Sequence, residues 1–108
     1  MSTSPPPAWV ELPDAVMDDA EISAKAKIVY WYLLRIADRR NRAPVSIGTI
    51  AQKMGLSASS KRTVRRWLNE LTEAGWVDVV RRRSHNGAHL SSVYVVHATL
   101  PGLDRVSP

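Results

Sequence analysis

The chain has 108 residues, of which 44% are hydrophobic, and it contains no cysteine. This length suits one small domain with a modest core, and the lack of cysteine excludes disulfides and thiolate metal sites. A formal net charge of +5 favours an anionic partner, with nucleic acid ahead of an acidic membrane surface. The sequence shows neither a secretory signal nor a run of transmembrane length, so we expect a cytoplasmic protein without a membrane partner.

Charge and composition divide the chain. The first 22 residues hold five acids and no Lys or Arg, so the rest, with all 15 basic residues and the other five acids, carries a formal charge of +10. Residues 1–8 predict a disordered Pro-rich arm, residues 9–98 one folded domain, and residues 99–108 a C-terminal tail. The apolar residues scattered from Trp9 to Ile22 predict a segment that lies across the core.

A first helix is predicted after Ser23, a good N-cap, in the run AKAKIVYWYLLRIADRR. We expect it to stop near Asn41, because Pro44 disfavours helical geometry at the residue before it. Apolar residues at helical spacing predict a buried stripe, made of Ala26, Val29, Tyr30, Leu33, Ile36 and Ala37. Trp31 and Leu34 fall on the other side, where they would contact a second protomer or another protein, or be covered by the acidic N-terminal segment.

A second, shorter helix is predicted in the run IGTIAQKM, with Ser46 as its N-cap. The face that it would bury consists of Ile47, Ile50, Ala51 and Met54. Gly55 supplies the left-handed residue that ends the helix. A helix, a tight turn that contains glycine and a further helix form the helix-turn-helix pattern.

The third predicted helix combines an apolar stripe with a basic face. The stripe consists of Val64, Trp67, Leu68 and Leu71, and the other side presents Arg62, Arg65, Arg66 and Asn69. Ser60 is the favoured N-cap, with Ser57 to Ser59 as a lengthened turn. An arginine-rich surface helix without a partner is the simpler interpretation. The basic residues, however, crowd the N-terminal half, the part of a recognition helix that enters the major groove, which favours DNA contact.

Two strands are predicted beyond Gly75, which ends the third helix. They are the Val-rich segments Trp76–Arg82 and Ser91–His97, and Asn86-Gly87 between them indicates a hairpin. Its basic residues are Arg81, Arg82, Arg83, His85 and His89. An ordinary solvated hairpin would explain one arginine, but three in a row favour a DNA-binding wing. The predicted fold class is therefore α+β, a winged helix-turn-helix with three helices followed by a two-stranded β-hairpin wing.

These elements resemble the winged helix-turn-helix domains of bacterial, plasmid and phage DNA-binding proteins, and are similar to replication-initiator N-terminal domains. The matching runs, ISAKAKIVYWYLL, SIGTIAQKMGLS, RTVRRWLNELTEAGWV and RRRSHNGAHLSSVYVV, lie within residues 9–96. The resemblance implies sequence-specific binding of double-stranded DNA, with the third helix in the major groove and the wing on the backbone or minor groove. The chain departs from the family by three inserted residues, Ala58, Ser59 and Ser60, so that Ser57 and Ser60 compete as the phosphate contact of the turn.

The expected DNA contacts lie in the turn, the third helix and the wing, and they are Ser57, Ser60, Lys61, Arg62, Thr63, Arg65, Arg66, Asn69, Arg81, Arg82, Arg83, His85 and Asn86. Their basic side chains would neutralise phosphates and make the affinity salt-sensitive. Arg62 and Arg66 suit guanine, and Asn69 suits adenine. Arg66→Ala is therefore expected to lose specific binding, and Arg83→Ala to weaken binding to all sequences.

The sequence favours a small transcriptional repressor that binds DNA as a homodimer or as repeated protomers. The alternatives are a replication, partition or conjugation accessory factor that binds DNA repeats, and a protein-protein adaptor that uses Trp31. Neither catalysis nor a cofactor or metal is expected. His85 and His89 have the spacing of two metal ligands on a helix, but Asn86-Gly87 predicts a turn there.

Overall fold

The computed structural model describes residues 11–57, 59–81 and 92–97. Its helices are α1 (Asp14–Met17), α2 (Ala24–Ile36), α3 (Ile47–Lys53) and α4 (Lys61–Glu73), and its strands are β1 (Arg42–Pro44), β2 (Val77–Val80) and β3 (Val93–Val96). The Pro-rich arm, Trp9, the C-terminal tail and the predicted wing tip, with Arg82, Arg83, His85, Asn86 and His89, lie outside the described residues. No helix within the described ranges is long and apolar enough to cross a membrane.

The three strands form one antiparallel sheet in the order β1-β3-β2. Val79 of β2 pairs with Tyr94 of β3, and Tyr94 pairs on its other side with Ala43 of β1. The predicted α+β winged-helix class is confirmed. The sheet has one strand more than the predicted two-stranded wing, and the short α1 precedes the three predicted helices. Pro44, which removes a backbone donor, is tolerated because β1 is an edge strand.

The first predicted helix is confirmed as α2, but its predicted end was wrong. Ser23 caps it as expected, since its Oγ accepts the Ala26 N–H at 3.2 Å. The helix ends at Ile36 instead of near Asn41, because the Asp38 carboxylate accepts the backbone N–H groups of Arg40 (2.8 Å) and Arg42 (3.1 Å). This local side-chain bonding competes with helix continuation, and it turns the chain into β1.

The core lies between α2, α4 and the sheet. Four residues of the predicted α2 stripe, Ala26, Val29, Tyr30 and Leu33, are fully buried, whereas Ile36 and Ala37 are only half-buried. Tyr30 and Trp76 pack edge to face, with ring centroids 6.1 Å apart. The Tyr30 hydroxyl donates to the His97 carbonyl at 2.7 Å, and burial raises the pKa of Tyr30 to about 12. Trp76 is thus a core residue.

The described part of the acidic N-terminal segment lies across the core, as predicted. Val16 of α1 is fully buried, and Ile22 is 4% exposed. The Trp76 indole Nε1–H donates to Asp19 Oδ2 at 2.7 Å, and Lys27 Nζ donates to the Met17 carbonyl at 2.5 Å. The segment is therefore held by polar bonds as well as by apolar burial.

The outer face of α2 is narrower than expected. Trp31 is 42% exposed, as the sequence predicted, and Ile28 one turn before it is 47% exposed. Leu34 was also predicted to face outward, but it is half-buried and packs against the core. Leu34 follows the buried Tyr30 by four residues, which places it at the edge of the buried stripe.

Candidate nucleic-acid interface

The helix before the turn begins and ends as predicted. Ser46 Oγ accepts the Thr49 N–H at 3.1 Å, which caps α3. Gly55 follows the helix with φ 82°, the left-handed conformation that glycine adopts without strain. Its N–H donates to the Gln52 carbonyl at 3.0 Å, and the Leu56 N–H donates to the Ala51 carbonyl at 2.8 Å. This pair of bonds is the Schellman motif, and it fixes the direction in which the chain leaves α3.

The turn between α3 and α4 is lengthened, as predicted. The Ser60 N–H donates to the Ser57 carbonyl at 2.9 Å, while Ser57 Oγ accepts the Ser59 N–H at 3.1 Å and hydrogen-bonds Ser59 Oγ at 2.8 Å. Ser60 occupies the N-cap position of α4, but its side chain makes no capping hydrogen bond to this fully described helix. The expected position of Ser60 is confirmed, and its expected capping bond is wrong.

The two faces of α4 separate apolar from basic residues. Val64 and Leu71 are fully buried, and Trp67 and Leu68 are 6% and 4% exposed. Thr63 is half-buried, and the remaining predicted contacts of this helix are all exposed, namely Lys61, Arg62, Arg65, Arg66 and Asn69. The helix therefore buries its stripe in the core and presents four cationic side chains within its first two turns.

Helix α4 is fixed to the rest of the fold at several points. Glu70 accepts the Ser23 N–H at 2.6 Å and the Ser23 hydroxyl at 3.0 Å, and Lys25 Nζ lies 5.7 Å from the centre of the Trp67 ring. At its end, Gly75 (φ 87°) and Trp76 form a second Schellman motif. This turn leads directly into β2, so the base of the wing has a defined position relative to α4.

A groove runs between α4 and the base of the wing. Its polar lining comes from α4 and from the base of the wing, and comprises Arg65, Asn69, Thr72, Asp78, Arg81 and Ser92. Tyr94, 2% exposed, borders the same groove. A neighbouring depression shares Arg65, Ser92 and Tyr94 and extends the surface past Lys61 to Ser46. The basic face of α4 is thus continuous with the base of the wing.

Tyr94 borders the groove together with Arg65 and Arg81. Burial raises the pKa of Tyr94, while a hydrogen bond with Ser92 and the positive charges of Arg81 and Arg65 oppose that rise. Of these two arginines, one belongs to α4 and the other follows β2, so the groove joins the two elements. Sequence reasoning missed Ser92 and Tyr94. The available signal was their alternation with Val93 and Val95, which places both on one face of β3.

Part of the expected contact set is therefore assembled on one surface. Lys61, Arg62, Arg65, Arg66 and Asn69 share the exposed side of α4, and Arg81, which is exposed, joins them across the groove. Ser57 and Ser60 precede the helix, and Ser57 is already engaged in the turn. Arg82, Arg83, His85 and Asn86 lie outside the described residues, so their contacts stay predictions.

Comparison with known proteins gives one match. A family model described as a helix-turn-helix domain matches residues 20–77, which include α2, α3, the turn and α4. Neither a curated protein nor a solved structure matches the chain. The matched region covers more than half of the sequence and contains both helices and the turn of the motif described above. The chain therefore belongs to the helix-turn-helix domain family.

Proposed function

We propose that the protein binds double-stranded DNA in a sequence-specific manner, as a small transcriptional regulator of the repressor type. The observation that carries this proposal is the exposed basic face of α4, which lies opposite a stripe that the core buries. The helix stands directly after the turn of the motif, as a recognition helix does. A DNA partner also implies a cytoplasmic location.

Within this proposal, different side chains have different tasks. Lys61 and Arg65 lie near the depressions that flank α4 and neutralise phosphates. Arg62 and Arg66 point away from the core and read base edges in the major groove, with bidentate bonds to guanine. Asn69, one turn further, suits adenine. The wing, with Arg81 at its base, lies on the backbone or in the minor groove.

The protein is proposed to bind as a homodimer or as repeated protomers, because one domain of this size reads only a short site. The exposed apolar residues Met17, Ile28 and Trp31 are candidates for contacts between protomers. They also favour the second candidate function, a protein-protein adaptor. A role on DNA repeats in replication, partition or conjugation would use the same α4 surface as a repressor does.

Selection of random duplexes on the purified protein, followed by sequencing, tests the proposal. Enrichment of a motif supports base readout. Inverted or direct repeats whose centres lie about 10 base pairs apart, one helical turn, would show how protomers are arranged. Retention of unenriched DNA would contradict sequence specificity. Retention of no DNA would overturn the proposal and favour the adaptor.

Replacement of Arg66 by alanine then separates base readout from backbone binding. The variant is expected to lose about 1–3 kcal/mol of discrimination between the selected duplex and a scrambled one. Arg35→Ala is the matched control, because Arg35 is exposed on α2 and borders neither the groove nor the depression beside α4. An equal loss of affinity on both duplexes would contradict the assignment of Arg66 to a base.

A further inference from the structure

The groove between α4 and the wing brings together cations from two elements. Val79 pairs with Tyr94, and side chains two residues apart along a strand share a face, so Arg81 lies on the Tyr94 side of the hairpin, as does Ser92. Arg65 reaches the same groove from α4. The groove therefore has a basic wall on each side, and Tyr94 and Ser92 lie between them.

Within the described part of the chain, the groove arginines have no acidic partner. Asp78 also borders the groove, but its Oδ2 lies 2.8 Å from His97 Nε2, and the register of β2 places it on the face opposite Val79 and Arg81. Among the described residues, no carboxylate lies within ion-pair distance of Arg65 or Arg81. Two adjacent like charges without a counter-charge favour binding of an anion.

The space between the two arginines also has a defined form. Tyr94 is 2% exposed, so the floor of the groove is packed against the core. The Gly75 turn fixes where β2 leaves α4, which sets the separation of the two walls. A phosphodiester of DNA has two free oxygens, and guanidinium groups bind such oxygens through paired, charge-assisted hydrogen bonds.

We propose that Arg65 of α4 and Arg81 at the base of the wing bind the same backbone phosphate of DNA, held above Tyr94 and Ser92. This inference rests on the proposed DNA binding and goes beyond it, because it assigns both arginines to one shared phosphate. Such a contact carries no sequence information of its own. It sets the angle at which α4 enters the major groove relative to the wing, and so positions Arg62 and Arg66.

The test uses the selected duplex with a neutral methylphosphonate in place of one phosphate at a time. For the wild-type protein, each contacted phosphate shows a loss of affinity when it is neutralised. In Arg65→Gln and in Arg81→Gln this loss is expected to shrink at one position, the same for both variants, because the other arginine still contacts that phosphate. Arg35→Gln is the control, because Arg35 is exposed on α2 and borders neither the groove nor the depression beside it, so it should leave the loss at that position unchanged.

The salt dependence gives a second readout. Each phosphate contact contributes about 1 to the slope of log affinity against log salt concentration. The double variant Arg65→Gln/Arg81→Gln is expected to lower this slope by about 1, since one phosphate is released, whereas separate contacts would lower it by about 2. The side chains replaced in these variants and in the control are all exposed, and circular dichroism checks that the variants fold.

The outcomes separate the two proposals. If the wild-type protein binds no duplex, both the proposed function and the shared phosphate are overturned. If it binds the selected duplex, but the two single variants act at different phosphates or at none, the shared phosphate is overturned and the DNA-binding function stands. If both single variants reduce the effect of neutralisation at one common position, and the double variant shows the smaller change in slope, the shared phosphate is supported.

Discussion

Three serines precede helices in this protein, and only two of them cap through the side chain. Ser23 and Ser46 have extended backbones, with ψ 163° and 154°, and each Oγ accepts an N–H from the first turn. Ser60 has ψ 48°, because it also closes the turn from Ser57. An N-cap needs the extended conformation to direct its oxygen at the helix. The N-cap position of each serine was therefore predictable from the sequence, whereas the formation of its capping bond was not.

The difference in capping predicts that two matched substitutions lower the stability of the protein to different extents. Ser46→Ala removes a formed cap, so the free energy of unfolding is expected to fall by about 1 kcal/mol. Ser60→Ala removes no capping bond, and we expect a change of less than about 0.5 kcal/mol. Urea unfolding followed by circular dichroism measures both. A cost for Ser60→Ala equal to that of Ser46→Ala would show that Ser60 caps α4 in solution.

Asp19 predicts a dependence of stability on pH. The Trp76 indole bond lowers the pKa of Asp19 from its ordinary value of 3.8, and the Glu21 backbone N–H lowers it further. A carboxyl with a lower pKa in the folded state stabilises the fold above its unfolded pKa, and this contribution is lost as the pH falls through the folded pKa. Asp19→Asn should therefore destabilise the protein at neutral pH by about 1 kcal/mol, a value that allows for solvent screening.

The same difference between wild type and Asp19→Asn is expected to shrink as the pH is lowered below 3.8. Unfolding by urea at a series of pH values measures it. Asp18→Asn serves as the control, because Asp18 is exposed next to Asp19 and its side chain makes no hydrogen bond within the described residues. A difference for Asp19→Asn that stays constant with pH would exclude the indole–carboxylate bond as its cause.

At the scale of elements, helices were predictable wherever the signal was local. Ser46, the apolar spacing after it and Gly55 all lie within one short segment, and together they placed α3 and its end correctly. Strand β1 was missed because Arg42-Ala43-Pro44 has no strand pattern of its own and is a strand only through its pairing with β3. Pairing over such a distance along the chain leaves no mark on a three-residue window.

The candidate site was predictable to a similar extent. The exposed face of α4 followed from the spacing of its buried residues, beginning at Val64. The groove could not be predicted in this way, because it depends on the packing of α4 against β2 and on the burial of Tyr94, which are tertiary properties. Arg65 and Arg81 were each proposed as contacts, but nothing in their sequence positions indicated that they border the same groove.

Replacement of Gly55 in the turn of the motif is expected to destabilise the protein through backbone strain alone. A Cβ at this position would meet no atom within 4 Å, but the φ of 82° is unfavourable for residues with side chains. Gly55→Ala should therefore lower the free energy of unfolding by about 1 kcal/mol without a steric clash. Asparagine tolerates this conformation better, so Gly55→Asn is expected to cost less. Thermal unfolding compares them, and equal costs would contradict strain as the cause.

At the scale of the whole molecule, charge is divided between the two ends of α4. The basic side chains of its first two turns and Arg81 lie near one end. A depression at the other end is bordered by acids from the N-terminal segment and from α4, namely Asp18, Asp19, Glu21, Glu70 and Glu73. A polyanion is attracted by the first surface and repelled by the second, so the protein is expected to approach DNA in a preferred orientation.

This division of charge predicts which side chains contribute to the salt dependence of DNA binding. Lys61→Gln, on the basic end, should lower the slope of log affinity against log salt concentration by about 1. Glu73→Gln, exposed at the acidic end, should leave the slope unchanged, because Glu73 displaces no counterions from DNA. Fluorescence anisotropy over a range of salt concentrations gives both slopes. A clear change for Glu73→Gln would place DNA across the acidic end as well.

The order of charges along α4 has a consequence for the free protein. The peptide dipoles of a helix add up to about half a positive charge at its N-terminus and half a negative charge at its C-terminus. Lys61 and Arg62 stand at the positive end and Glu73 at the negative end, and within this fully described helix the first turn has no acid and the last no base. The charges thus oppose the helix macrodipole. A phosphate near the first turn would reverse that opposition, so the charge order of α4 suits the DNA-bound state better than the free one.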